Sequence, residues 1–152
     1  MSNKIEFRVL NEKARDALTY ATEGSAAIDL VAALDEDDGA QVIRPLETVK
    51  FKTGIALHIN DVGMAAMILP RSGLGTKGII LGNTVGLIDS DYQGEIIVAL
   101  HNRHRVGSYL VKDLDRIAQM IFVPILHPMM VQVKEFSTQT KRGTGGFGST
   151  GD

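Results

Sequence analysis

From Val49 to Ile59 the chain alternates, with Val49, Phe51, Thr53, Ile55, Leu57 and Ile59 on one side and Lys50, Lys52 and His58 among the residues between them. Successive side chains of a strand point to opposite faces, so a run this long dictates a β-strand with one face in a core. Lys4 to Leu10 repeats the pattern over a shorter span, with Ile5, Phe7 and Val9 against Lys4, Glu6 and Arg8. Ala65 to Leu69, Glu95 to Leu100 and Ile117 to Ile125 are apolar on both faces, which places each between two layers or at a subunit contact. Met129 to Val133 is read as the last strand of the series.

Between these runs stand Asp37-Asp38-Gly39, Asn60-Asp61, Gly82-Asn83 and Asp91-Tyr92-Gln93-Gly94, the residue types that turns require. With 16 glycines and no tryptophan, short strands and frequent turns predict an all-β sandwich or jelly roll. Helical signal is confined to Asn11 to Leu18, a turn or two, and Ser72 to Lys77, a short helix stopped at Gly78.

At 152 residues the chain suits one domain with its own core. It has no cysteine, which excludes a disulfide framework or a thiolate site and suits the cytoplasm. No apolar signal core follows the N-terminus, and no run of about 18 apolar residues occurs, so neither targeting nor membrane insertion is expected. A formal charge of -2 offers no bulk attraction to nucleic acid or anionic membranes; an anionic ligand would need a local cluster of donors.

Past Phe136 the composition changes. Residues 137–152 carry one apolar side chain, Phe147, amid glycine, threonine and serine, too little to order the segment by burial. The expected division is therefore a β domain over residues 1–136 and a flexible glycine-rich arm over 137–152. On composition alone that arm is a disordered tail; its other reading depends on what it carries.

Four constellations hold the chemistry. Pro70-Arg71-Ser72-Gly73-Leu74-Gly75 follows an apolar run: proline ends the strand, Ser72 can cap a helix start, and free N–H groups beside Arg71 suit a phosphate, though a capped turn beside an arginine also occurs as plain structure. In Gly82 to Glu95, read as a hairpin, Gly86 permits close backbone approach to a ligand, and Asp89 adjoins Leu87 and Ile88. A carboxylate in such company is costly unless paired or used, or else it caps a turn. Arg116 and Gln119 stand in an apolar strand at a spacing of three, which points them to opposite faces. Arg142 to Gly151 joins a cation, an aromatic and many open N–H groups, the equipment of a cover that stacks on a base and wraps phosphates.

In order and spacing these four, with Gly24 to Leu30, resemble the five motifs of the trimeric dUTP pyrophosphatase family (deoxyuridine 5'-triphosphate nucleotidohydrolase, dUTPase). The similarity runs from about Thr19 to Gly151 and is nearly letter for letter over Pro70 to Gly75, Gly86 to Gly94 and Gly145 to Gly151. It implies a distorted jelly roll of the β-clip kind and a homotrimer with active sites shared between subunits. The activity implied is hydrolysis of dUTP to dUMP and pyrophosphate, which limits uracil in DNA and supplies dUMP for thymidylate synthesis.

By the same resemblance Asp89 is the general base that activates water against the α-phosphorus. Asn83, Gly86, Leu87 and Ile88 grip uracil, with Gly86 and the wall near Ile97 excluding the methyl of thymine, and Tyr92 packs beneath the deoxyribose. Arg71, Ser72, Gly73 and Gln119 hold or support the triphosphate. Phe147 stacks on uracil, with Gly148 beside it and Arg142 near the γ-phosphate. Mg²⁺ is implied as cofactor, held by phosphate oxygens and water without direct protein ligands; Asp29 acts through water or braces the fold.

Two departures from the family pattern stand out: Ala27 replaces a more usual glycine, and Val111 to Asp115 replaces a Pro-Gly-Glu-type turn. His101 and His104, three apart at a strand end, point away from one another, which argues against a metal site. His58 and His127 read as surface residues. The rival readings are a dCTP deaminase of the same fold, which would need a glutamate base, and a non-catalytic nucleotide-binding regulator, against which Asp89 and the complete arm argue.

Overall fold

The computed structural model describes residues 4–35 and 37–146. Among these residues, ten strands form three antiparallel sheets: β1 (Glu6–Val9), β2 (Ile28–Val31), β3 (Ala40–Ile43), β4 (Thr48–His58), β5 (Met64–Leu69), β6 (Ile79–Leu81), β7 (Gly86–Ile88), β8 (Glu95–Asn102), β9 (Tyr109–Lys112) and β10 (Arg116–Pro124). One four-stranded sheet runs β1-β4-β8-β6, the other β2-β10-β5-β7, and β3 pairs with β9. The fold is the expected all-β jelly roll. Its helical content among the described residues is a 3-10 turn at Glu12–Ala17 and a single turn, α1 (Ser72–Gly75). No helix among the described residues is long and apolar enough to cross a membrane.

One buried core joins the two large sheets, with Phe51 and Ile55 of β4, Ile96, Val98 and Leu100 of β8, Leu30 of β2, Ile68 of β5 and Met120 of β10. Burying each such side chain stabilises the fold by about 1.5–3 kcal/mol. In β4, Phe51, Thr53, Ile55 and Leu57 face this core as their alternation requires, and Thr53 satisfies its buried hydroxyl by donating to the Ile96 carbonyl at 2.8 Å. The run is interrupted at Gly54, whose φ of +70° coincides with a register shift against β8. A Cβ there would lie 2.8 Å from that of Asn11, so glycine lets the 3-10 turn pack against the strand.

Two expected strands differ. β1 begins at Glu6, and Phe7 is half exposed. Met129 to Val133 pairs with nothing among the described residues: β10 ends at Pro124, and Leu126, Met129, Met130, Val131 and Phe136 are exposed. A strand requires a partner edge, and none is supplied among the described residues.

The departure at Val111 to Asp115 has a local cost. Leu114 closes the turn at φ +62°, a conformation that glycine enters freely and other residues enter at about 1 kcal/mol. Its N–H donates to the Ala32 carbonyl at 2.8 Å, and Asp115 accepts from the Lys112 N–H at 2.8 Å. The turn is thus held despite the missing glycine.

Candidate active site

The first group of predicted residues gathers where β5 ends. Pro70 stops the strand, and its carbonyl accepts from Gln119 Nε2 at 2.9 Å. Arg71 remains extended and is itself the N-cap of α1, accepting from the N–H groups of Leu74 and Gly75. The expectation that Ser72 caps this turn is therefore corrected: it is the first helical residue, and the N–H groups of Ser72 and Gly73 have no partner within the turn.

Gln119 and Arg116 were expected on opposite faces of β10, yet both line the same cleft of about 520 Å3 with Asp29, Arg71, Ser72 and Gly73. The cause is a β-bulge. Arg116 pairs with Val31 and Ala118 with Leu30, so the pairing slips by one residue between them, and that slip resets the alternation of faces. Past the bulge Gln119 stands directly opposite Asp29. Arg71 donates from Nε to Asp29 Oδ1 at 2.7 Å and from Nη2 to Oδ2 at 3.5 Å; Arg116 Nη1 reaches Oδ2 at 3.4 Å. Two guanidinium groups thus share one carboxylate, and the surplus positive charge favours an anion in the cleft. Periodicity alone could not reveal Arg116 here; the signal lay in the register.

Behind this cluster Tyr109 of β9 lines a smaller cleft with Arg71, Asp115 and Arg116. Its phenol is pushed above the usual tyrosine range, chiefly by burial and further by the Asp115 carboxylate.

The second group forms a slot of about 120 Å3. Asn83, Gly86, Leu87 and Ile88 make one wall, Ile97, Val98 and Ala99 of β8 the other, with Ile68 and Leu81 also contributing. Here the structure corrects the hairpin. β6 pairs with β8 in one sheet, whereas β7 crosses to pair with β5 in the other, so the segment from Gly82 to Glu95 spans the gap between sheets. Gly86 stands opposite Ile68, and a Cβ on it would sit 3.1 Å from that of Ile68. The glycine keeps the wall pressed against β5.

Asp89 follows Ile88 immediately, and its carbonyl accepts from the Tyr92 N–H at 3.2 Å. The carboxylate is exposed, contrary to the expectation of apolar surroundings, and forms no hydrogen bond or ion pair with any described residue. Tyr92 donates its hydroxyl to the Glu95 carbonyl at 3.0 Å, and its ring covers Gly94, where a Cβ would lie 2.6 Å from Cζ. Arg142 is exposed and donates from Nε to the Gly145 carbonyl at 2.9 Å, away from both clefts. Phe147 and Gly148 lie outside the described residues.

Slot and cleft share no residue. Ile88 pairs with Ala66 and Gly86 with Ile68, so β7 carries Asp89 toward the Ala65 end of β5 while Arg71 follows its other end. About 17 Å of extended strand lies between Ala65 and Pro70.

A jelly roll with a narrow slot on the β7 side of β5 and a cationic cleft on its β10 and β2 side has the parts of a nucleotide-binding enzyme. The dUTPase family model matches residues 13–151, and the chain belongs to that family. The deoxyuridine 5'-triphosphate nucleotidohydrolase of Neisseria meningitidis serogroup A is 51% identical over 153 residues, covering 99% of both chains. The dUTPase of Staphylococcus bacteriophage 80alpha, solved with dUpNHpp, superposes with a TM-score of 0.86 at 27% identity, covering 99% of this chain and 100% of that one. A mutant dUTPase from phage phi11 of S. aureus, solved with attention to its coordination of a structural Mg(II) ion, gives 0.77 at 25% identity over 90% of this chain and 100% of that one.

Proposed function

We propose that this chain hydrolyses dUTP to dUMP and pyrophosphate, with Asp89 as the general base. The observation that carries this reading is the narrow slot between Gly86–Ile88 and β8, with an uncommitted carboxylate one residue beyond its wall. In the slot, backbone groups of β7 and the Asn83 amide bind the edge of uracil. Cytosine presents a donor where uracil presents an acceptor, and a site built around fixed partners rejects it. Pressed on Ile68, Gly86 leaves no room for a ring methyl, and Tyr92 fills the space that a 2′-hydroxyl would need.

Asp89 takes a proton from a water, the oxygen bonds to the α-phosphorus, and the bond to the bridging oxygen breaks to release pyrophosphate. Arg71, Ser72, Gly73 and Gln119 hold the phosphates. Mg²⁺ bound to the triphosphate would neutralise charge across its oxygens. Such an ion would be held by phosphate oxygens and water, as a cation that dehydrates reluctantly prefers. Both Asp29 oxygens are engaged by guanidinium groups, so Asp29 braces Arg71.

The separation of Asp89 from Arg71 along β5 supports a site assembled from neighbouring subunits of a cytoplasmic homotrimer. The exposed apolar stretch from Leu126 to Phe136 supports the same reading, since a second protomer would cover it. Residues 137–152 then act as an arm that closes over bound nucleotide, with Phe147 and Gly148 on the base and Arg142 on the γ-phosphate; water is excluded on closure. Pyrophosphate release from dUTP, dTTP, dCTP and UTP, measured in parallel with and without Mg²⁺, tests the reading. Preference for dUTP is expected; preference for any other nucleotide overturns it.

A further inference from the structure

Nothing in the catalytic scheme uses His104, yet its imidazole is tied to the far end of the turn that carries Arg71, Ser72 and Gly73. We infer that His104 is a positioning residue for that turn, an inference that rests on the reading of these three residues as the phosphate grip. A helix of four residues cannot hold itself, because short helices are marginal without outside contacts. The front of the turn is anchored by Gln119 on Pro70 and by Asp29 on Arg71. From there the chain continues through backbone bonds of 3.0 Å, Thr76 N–H to Ser72, Lys77 N–H to Leu74 and Gly78 N–H to Gly75, with the Thr76 hydroxyl donating to the Gly73 carbonyl at 3.3 Å.

The rear is where His104 acts. Its Nε2 donates to the Lys77 carbonyl at 2.7 Å, and the Arg103 N–H donates to the Gly78 carbonyl at 2.9 Å. Gly78 reverses the chain at φ +75°, and a Cβ there would lie 2.6 Å from His104 Nε2. Glycine at 78 thus meets two demands, the left-handed backbone and the approach of the ring.

The ring is held from the core. Fully buried Asn102 accepts from the His104 N–H at 3.0 Å and donates to the carbonyls of Ile43 at 3.1 Å and Gly107 at 3.0 Å. Those bonds use the backbone of residue 104 and survive any side chain placed there. Loss of the imidazole therefore removes one of the two rear ties of the turn while leaving the core satisfied, which separates positioning from general stability. Nε2 bears a proton in both the neutral form that makes this bond and the imidazolium, so the bond does not depend on charge.

The test uses the full chain with steady-state kinetics on dUTP and inhibition by deoxyuridine, which occupies the slot and carries no phosphate. His104→Ala is expected to raise KM for dUTP about five-fold, the scale of one neutral hydrogen bond, with kcat, the deoxyuridine constant, the pH profile and the melting temperature close to wild type. His104→Gln, whose amide N–H can reach the same carbonyl, is expected to restore KM. An unchanged KM for His104→Ala, an equal rise for dUTP and deoxyuridine, a large fall in melting temperature, or no rescue by glutamine each overturns the inference. Ser72→Ala is measured alongside: if it leaves both constants for dUTP unchanged, the phosphate-grip reading itself fails.

Discussion

Arg71 donates from Nε to Oδ1 of Asp29 at 2.7 Å, linking the end of β5 to the middle of β2 across β10. Replacing the carboxylate by an amide leaves two guanidinium groups facing each other without their shared counter-charge. Both side chains are partly solvated, so Asp29→Asn is expected to cost about 1–2 kcal/mol of stability. It should also raise KM for dUTP more than it weakens deoxyuridine. Thermal denaturation and inhibition kinetics check this; equal losses for both ligands would remove Asp29 from the phosphate side of the site.

Tyr92 owes its position to the residue beneath it. A methyl on Gly94 would collide with the Tyr92 hydroxyl and ring, breaking the bond from Tyr92 to the Glu95 carbonyl. Gly94→Ala and Tyr92→Ala are both expected to erode the preference for dUTP over UTP, by about ten-fold or more for the alanine at 92. The ratio of kcat/KM values for the two nucleotides reads it. A ratio that stays at the wild-type level in both variants would assign sugar selection elsewhere.

The parts of this fold legible in the sequence are those whose cause is local. The alternation of β4 and the stop at Pro70 follow from the residues themselves, and structure and sequence agree there. Register is another matter, because it depends on a partner strand distant in the chain. The bulge that turns Arg116 and Gln119 to one cleft is invisible without β2, and the crossing of β7 to β5 looks locally like an ordinary hairpin. Met129 to Val133 has the composition of a strand but no edge among the described residues to complete it. Arg71, Ser72, Gly73 and Gln119 were singled out from the sequence together with Asn83, Gly86, Leu87, Ile88 and Ile97; that the two sets line clefts sharing no residue was not legible there.

Alkaline pH probes the cleft behind Arg71. The Tyr109 phenol is raised by burial and then by Asp115, so the folded state resists forming phenolate. A raised folded value contributes stability that is present in full below the unfolded tyrosine pKa of about 10 and is lost as pH climbs through the folded value. Unfolding free energy should therefore decline above about pH 10, and Tyr109→Phe should flatten that decline. Denaturation curves across the alkaline range check it, and an unchanged slope in the variant would place the effect on other groups.

Truncation addresses the arm. Deleting Gly143 to Asp152 removes no described contact with the β domain and is expected to leave a folded trimer. Activity should fall strongly while deoxyuridine still binds, because the cover over the phosphates is lost and water enters. Size-exclusion chromatography with turnover measurements distinguishes the outcomes; full activity in the truncated enzyme would retire the closing role.

The distance from Asp89 to Arg71 yields the most decisive experiment. Asp89→Asn alone is expected to retain nucleotide and slow turnover by about 10² to 10⁴, the loss usual for a general base. Arg71→Ala should instead raise KM. In the proposed trimer, because Asp89 follows β7 toward the Ala65 end of β5 while Arg71 follows the other end, the two groups of a single chain serve different sites. Mixed trimers refolded from equal amounts of both variants should then contain sites with Asp89 from one chain and Arg71 from its neighbour, restoring about a quarter of wild-type activity by random pairing around a threefold axis. Sites built within one chain would give no such recovery, since every chain would lack one group or the other.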